Sequence, residues 1–163
     1  MTQLEDIERI APGVAGLTPD ELEALQRFTL LWTLFEAQVL DNRASAGKIV
    51  EKVAQLAQLE GELFQKQLTY FSDRYIDNGR TNFRFDKLHL RRNDNPELVQ
   101  AVLLGENVYI YDQLVACLII VYRFRNNFFH GLKWAYGLKE QLDNFTQSTI
   151  LLKKCLIAFP NHI

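Results

Sequence analysis

The aliphatic run Leu118-Ile119-Ile120-Val121 passes directly into Tyr122-Arg123-Phe124-Arg125-Asn126-Asn127-Phe128-Phe129-His130-Gly131, and no other stretch constrains the fold as much. Preceded by Leu114 and Cys117, such a run builds a helix inside a core. Polar groups placed straight after it must find hydrogen-bond partners, or their burial costs several kcal/mol. Arg, Asn and His grouped near buried surface suit the binding of an anion.

Composition agrees with a core of that kind. The chain has 163 residues, about one domain, and at 48% apolar residues it can bury a sizeable interior. Eleven Phe, six Tyr and two Trp against eight Gly and four Pro favour long regular elements over a turn-rich sandwich or a disordered chain. We read one domain over 1–163, with 1–17 as a flexible N-terminal arm. The acidic start, Met1 to Glu8, has no apolar stretch of signal-peptide length. No window approaches the roughly 20 unbroken apolar residues of a membrane span, so a cytoplasmic protein without membrane partners is expected. Cys117 and Cys155 lie among aliphatic residues and read as small core residues rather than a disulfide. Without His or Cys at ligand spacing they make no zinc site, and no metal is expected.

Periodicity and end signals predict an all-α bundle of four or five main helices. Thr18-Pro19-Asp20-Glu21 combines an N-cap, Pro at the first helical position and a capping-box Glu. The helix it opens carries Leu22, Leu25, Phe28, Leu31, Trp32, Phe35 and Val39 on one face, to about Leu40. A second helical track runs from Ala44 to about Ile76, with Gly61 as a bend or break, and stops at Asp77-Asn78-Gly79. Residues 78–94 lack helical spacing and read as a basic loop or short hairpin arm. Asn95-Pro96-Glu97 restarts a helix that Gly105 ends. The central helix is expected from about Glu106 to His130, and the last from about Leu138 to Phe159, before Pro160.

Charge is unevenly placed within a formal net charge of −2. Residues 1–60 carry ten acids against five bases, whereas Arg80, Arg84, Lys87, Arg91 and Arg92 face Asp86 alone within 80–92. That segment is the basic footprint through which RNA phosphates could be guided, with Phe83 and Phe85 available for stacking.

On a regular helix Asn126 and His130 share a face, as do Arg123 and Asn127, while Arg125 lies about 140° around from His130. One helix face therefore does not present Arg125 and His130 side by side. A bend at the helix end, or a second chain, is needed to unite them. Beside Gly131 at the expected C-terminus, the helix dipole favours a protonated His130, which suits proton donation near neutral pH. Arg grips phosphate with a permanent charge and His transfers protons, so the pair matches phosphodiester cleavage without a metal.

Arg125-Asn126-Asn127-Phe128-Phe129-His130, followed by Gly131 and Lys133, resembles the R-x(4–6)-H signature of the HEPN superfamily. The likeness covers about Tyr109 to Lys133. It implies an HEPN-like bundle and a metal-independent endoribonuclease, with no cofactor, whose homodimer brings two motifs into one cleft. Arg125 and His130 would be catalytic, and Asn126, Asn127, Arg123 and Lys133 would contact phosphate or orient the histidine. Glu36 would be the supporting acid from an early helix. Such proteins are common in toxin–antitoxin and anti-phage systems, so a cognate antitoxin is an implied partner. The alternative is a non-catalytic HEPN-like module that binds a nucleotide or a partner such as a nucleotidyltransferase.

Overall fold

A computed structural model describes residues 9, 10, 16–129 and 141–160. Helix α1, Pro19–Gln38, starts where the capping signals place it. The Thr18 hydroxyl accepts from the Glu21 amide at 3.1 Å, and the Glu21 carboxylate accepts from the Thr18 amide at 3.0 Å. Its inner face buries Ala24, Leu25, Phe28, Trp32 and Phe35. Leu17, within the expected arm, packs against the core; apart from Gly16, Leu17 and residues 9–10, the arm lies outside the described residues.

Helix α2, Ala46–Ala54, is capped by Ser45, whose hydroxyl accepts from the Lys48 amide at 3.0 Å. The helical track expected to Ile76, with a bend or break at Gly61, is broken here, from Gln55 onward rather than at Gly61 alone. Chain direction changes through 55–60 and a 3₁₀ turn at Gly61–Leu63 before α3 resumes over Gln65–Tyr75. Burial explains the break, because Leu56 and Phe64 both turn into the core, Phe64 completely. The Leu56 carbonyl, lost to the helix, accepts from the Tyr111 hydroxyl at 3.0 Å. Tertiary packing thus outweighs the local periodicity.

Two short antiparallel strands follow, β1 at Ile76–Asp77 and β2 at Arg80–Thr81, with Ile76 opposite Thr81. Asn78 and Gly79 turn between them with φ of 52° and 74°, the left-handed pair that a two-residue hairpin demands. The hairpin is therefore real, but the segment after it is no free arm. Helix α4, Phe83–Asp86, is one turn capped by Asn82, whose side-chain oxygen accepts from the Arg84 and Phe85 amides. Leu88 is buried, and a 3₁₀ turn at Arg92–Asp94 leads to α5, Pro96–Leu103. Gly105, with φ of 77°, closes α5 as expected.

The central helix, α6, spans Ile110–Phe129 and begins later than Glu106. Asn107 delays it: its side-chain oxygen accepts from the Tyr109 amide at 3.0 Å and its amide group donates to Asp112 at 2.9 Å. Every residue from Leu114 to Val121 is buried, so α6 has no solvent side along this stretch. Helices α2 and α5 flank it, and α3 also packs on it. The last helix, α7, covers Leu142–Ala158 and lies along α1, with Phe28 against Phe145 and Phe35 against Phe159. Its expected start at Leu138 lies outside the described residues.

The architecture is all-α apart from the two-strand hairpin, with seven α-helices among the described residues. No described helix is long and apolar enough to cross a membrane. Cys117 and Cys155 are both free and fully buried, and desolvation pushes the Cys155 thiol up to about 12. Both thiols therefore stay neutral at physiological pH.

Candidate functional site

The polar residues at the end of α6 separate into two sets on different sides of the helix. Arg123 and Asn127, one turn apart, face inward toward the segment that follows the hairpin. The Arg123 guanidinium donates to the Leu88 carbonyl at 3.0 Å, to Asp94 at 3.4 Å and to the Asn127 side-chain oxygen at 3.2 Å. Asn127 in turn donates to the carbonyls of Lys87 and Leu88 at 3.3 and 3.1 Å. Asp94 also accepts from the Arg91 amide at 2.8 Å, which holds the 3₁₀ turn.

This is a clasp: two side chains of α6 occupy carbonyls that no helix or strand satisfies. The Arg123 and Asp94 side chains are only 3% and 7% exposed, so each charge depends on the other. Burial pulls the Arg123 pKa down while Asp94 opposes that shift, and a guanidinium remains charged throughout. The roles expected for Arg123 and Asn127, phosphate contact and orientation, are not what their contacts serve. Both side chains are buried and engaged with the protein's own backbone and with Asp94.

Arg125 lies about 200° around the helix from both Arg123 and Asn127, on the far side from the clasp. It is half-buried, and one of its terminal nitrogens donates to the Asn126 side-chain oxygen at 2.9 Å. This contact fixes one arm of the guanidinium against a buried amide. Tyr122, one turn earlier, lies against Trp32 with ring centroids 6.0 Å apart, and its hydroxyl donates to the Ala44 carbonyl at 3.4 Å. The Trp32 indole donates to Glu36 at 3.0 Å. Glu36 is thus tied to α6 through Trp32 and Tyr122, one helical turn from Arg125 and Asn126. His130 and Lys133 lie outside the described residues.

The basic footprint is solvent-facing as charge patterning suggests. Arg80, Arg84, Lys87, Arg91 and Arg92 are all exposed. The two phenylalanines offered for stacking differ: Phe85 packs edge-on against Tyr75 at 6.4 Å, whereas Phe83 is 59% exposed. Among the described residues no cluster of His, Cys, Asp or Glu could hold a metal ion.

What sequence reasoning missed is Asp94. Its position before Asn95-Pro96 reads as a helix-start signal, and its partner Arg123 is 29 residues away. The faint signal was a lone acid directly after a basic run. Comparison of the chain with protein-family models, with curated proteins and with solved structures finds no match in any of the three.

Proposed function

We propose that the protein is a metal-independent endoribonuclease of HEPN type, acting as a homodimer whose paired chains supply Arg125 and His130 to one cleft. The observation that carries this reading is the sorting of the motif. Of the two arginines at the end of α6, Arg123 is committed to the fold, while Arg125 lies on the other side, half-buried and braced by Asn126.

In this reaction the RNA 2′-oxygen attacks its own phosphorus and the P–O5′ bond breaks. The 5′-oxygen takes up a proton, leaving a 2′,3′-cyclic phosphate and a 5′-hydroxyl. The internal nucleophile makes a metal unnecessary if charge on the crowded phosphorane is stabilised and protons are moved. Arg125 stabilises that charge and His130 donates or accepts the proton. Asn126 holds the Arg125 guanidinium in place, and Glu36 supports the site from α1 through the Trp32 indole. Leu30 on α1 and Ile157 on α7 are 60% and 87% exposed, apolar side chains that a two-fold mate would cover. An activity of this kind belongs to toxin–antitoxin or defence systems, where an antitoxin would be the partner.

RNA incubated with the purified protein in EDTA is expected to yield cyclic-phosphate ends. Arg125→Ala or His130→Ala should abolish cutting while the dimer survives in sedimentation. Tight nucleotide or nucleotidyltransferase binding without turnover would instead identify a binding module.

A further inference from the structure

Phe83 is the one large aromatic of the 76–94 segment that does not pack inward. Its ring carries two cations, the Arg84 guanidinium carbon and the Lys87 ammonium, each 5.2 Å from the centroid. The segment beneath is held from three directions. Asn82 caps α4 and donates to the Arg74 carbonyl at 2.8 Å and to Asp77 at 3.1 Å. Phe85 packs on Tyr75, and Arg123 with Asn127 holds the backbone at Lys87 and Leu88. An exposed aromatic on so constrained a backbone loses little entropy when a ligand covers it.

The geometry points to Phe83, Arg84 and Lys87 as a platform for one unpaired nucleotide of a single-stranded RNA, separate from the Arg125 site. Two like charges held near one ring repel each other, and a phosphate set between them relieves that repulsion. The phosphates draw both cations off the ring, whose face then receives a base. Stacking of this kind accepts any base but requires it to be unpaired. Because the clasp residues and Arg125 project from opposite sides of α6, the platform acts as a remote holding site. It rests on the ribonuclease reading only in taking RNA as the ligand.

Binding is best read by fluorescence anisotropy with the Arg125→Ala protein, using a labelled single-stranded oligoribonucleotide and a duplex of the same sequence. Phe83→Ala is expected to weaken single-strand binding roughly 10-fold and duplex binding hardly at all, while Phe83→Trp restores it. Arg84→Ala with Lys87→Ala should weaken both ligands and flatten the salt dependence. In the catalytically intact protein, Phe83→Ala should raise KM with kcat unchanged. Unchanged single-strand affinity in Phe83→Ala, equal losses for strand and duplex, or a fall in kcat alone would each overturn the platform. Because affinity is measured apart from turnover, binding that follows this pattern in a protein that cuts no RNA would overturn the ribonuclease reading and leave the platform standing.

Discussion

Arg123 and Arg125 stand two residues apart on one helix and meet opposite environments. The first is enclosed, paired with Asp94 and bonded to a backbone carbonyl; the second is half-buried beside Asn126. A motif written as a run of polar letters therefore spans two sides of a helix. One fastens the 87–94 segment to the central helix, and the other sets the Arg125 guanidinium against Asn126. The lesson is physical: a two-residue step turns a side chain about 200° around a helix, so two cations of one short motif can meet opposite surroundings.

The largest expected effect breaks the clasp. Asp94→Ala leaves Arg123 charged and enclosed, which should cost about 3–5 kcal/mol in urea unfolding. Arg125→Ala, on the other side, removes the Arg125 donor from the buried Asn126 oxygen and should cost less, about 1 kcal/mol. Comparable losses for the two variants would erase the distinction between the sides.

A smaller loss is expected for Asn127→Leu. It removes donors to the Lys87 and Leu88 carbonyls and an acceptor for Arg123, at a cost of about 1–3 kcal/mol. Loosening should concentrate at residues 87–94, so amide exchange there would rise more than in α1. Uniform exchange across the chain would mean that the clasp has no local role.

The smallest effect sharpens the comparison with an exposed charge cluster. Hydrogen bonding to Lys52 is the main cause holding the Asp41 carboxyl below its usual range, with Lys48 adding to it. A depressed carboxyl contributes stability that is full above its unfolded value of 3.8 and fades as pH falls through the lower folded value. Asp41→Asn should therefore flatten the acid limb of the stability curve slightly and leave neutral pH almost unchanged. Solvent screens this cluster, so its contribution stays far below that of the enclosed pair.

Local signals were legible and distant pairings were not. The Thr18–Glu21 box, the Asn78-Gly79 turn and the Gly105 stop depend on neighbours in sequence, and each stands where the residues indicate. Gly61 marked a break between α2 and α3, but its extent back to Gln55 was hidden because Leu56, Leu59 and Leu63 keep helical spacing, while what decides the path is burial of Phe64 and the Tyr111 bond to Leu56. The shared face of Arg123 and Asn127 was readable from spacing alone. That this face meets Leu88 and Asp94 rather than a ligand was not, since nothing near Arg123 in sequence names its partner.

The most direct measurement is cleavage of a labelled RNA in EDTA by the wild-type protein beside Arg125→Ala and Arg123→Lys. Wild type should cut, and Arg125→Ala should be inactive at temperatures where it is folded. Arg123→Lys should melt earlier yet still cut at temperatures where it is folded. Cutting by Arg125→Ala at the wild-type rate would contradict the assignment of the two arginines.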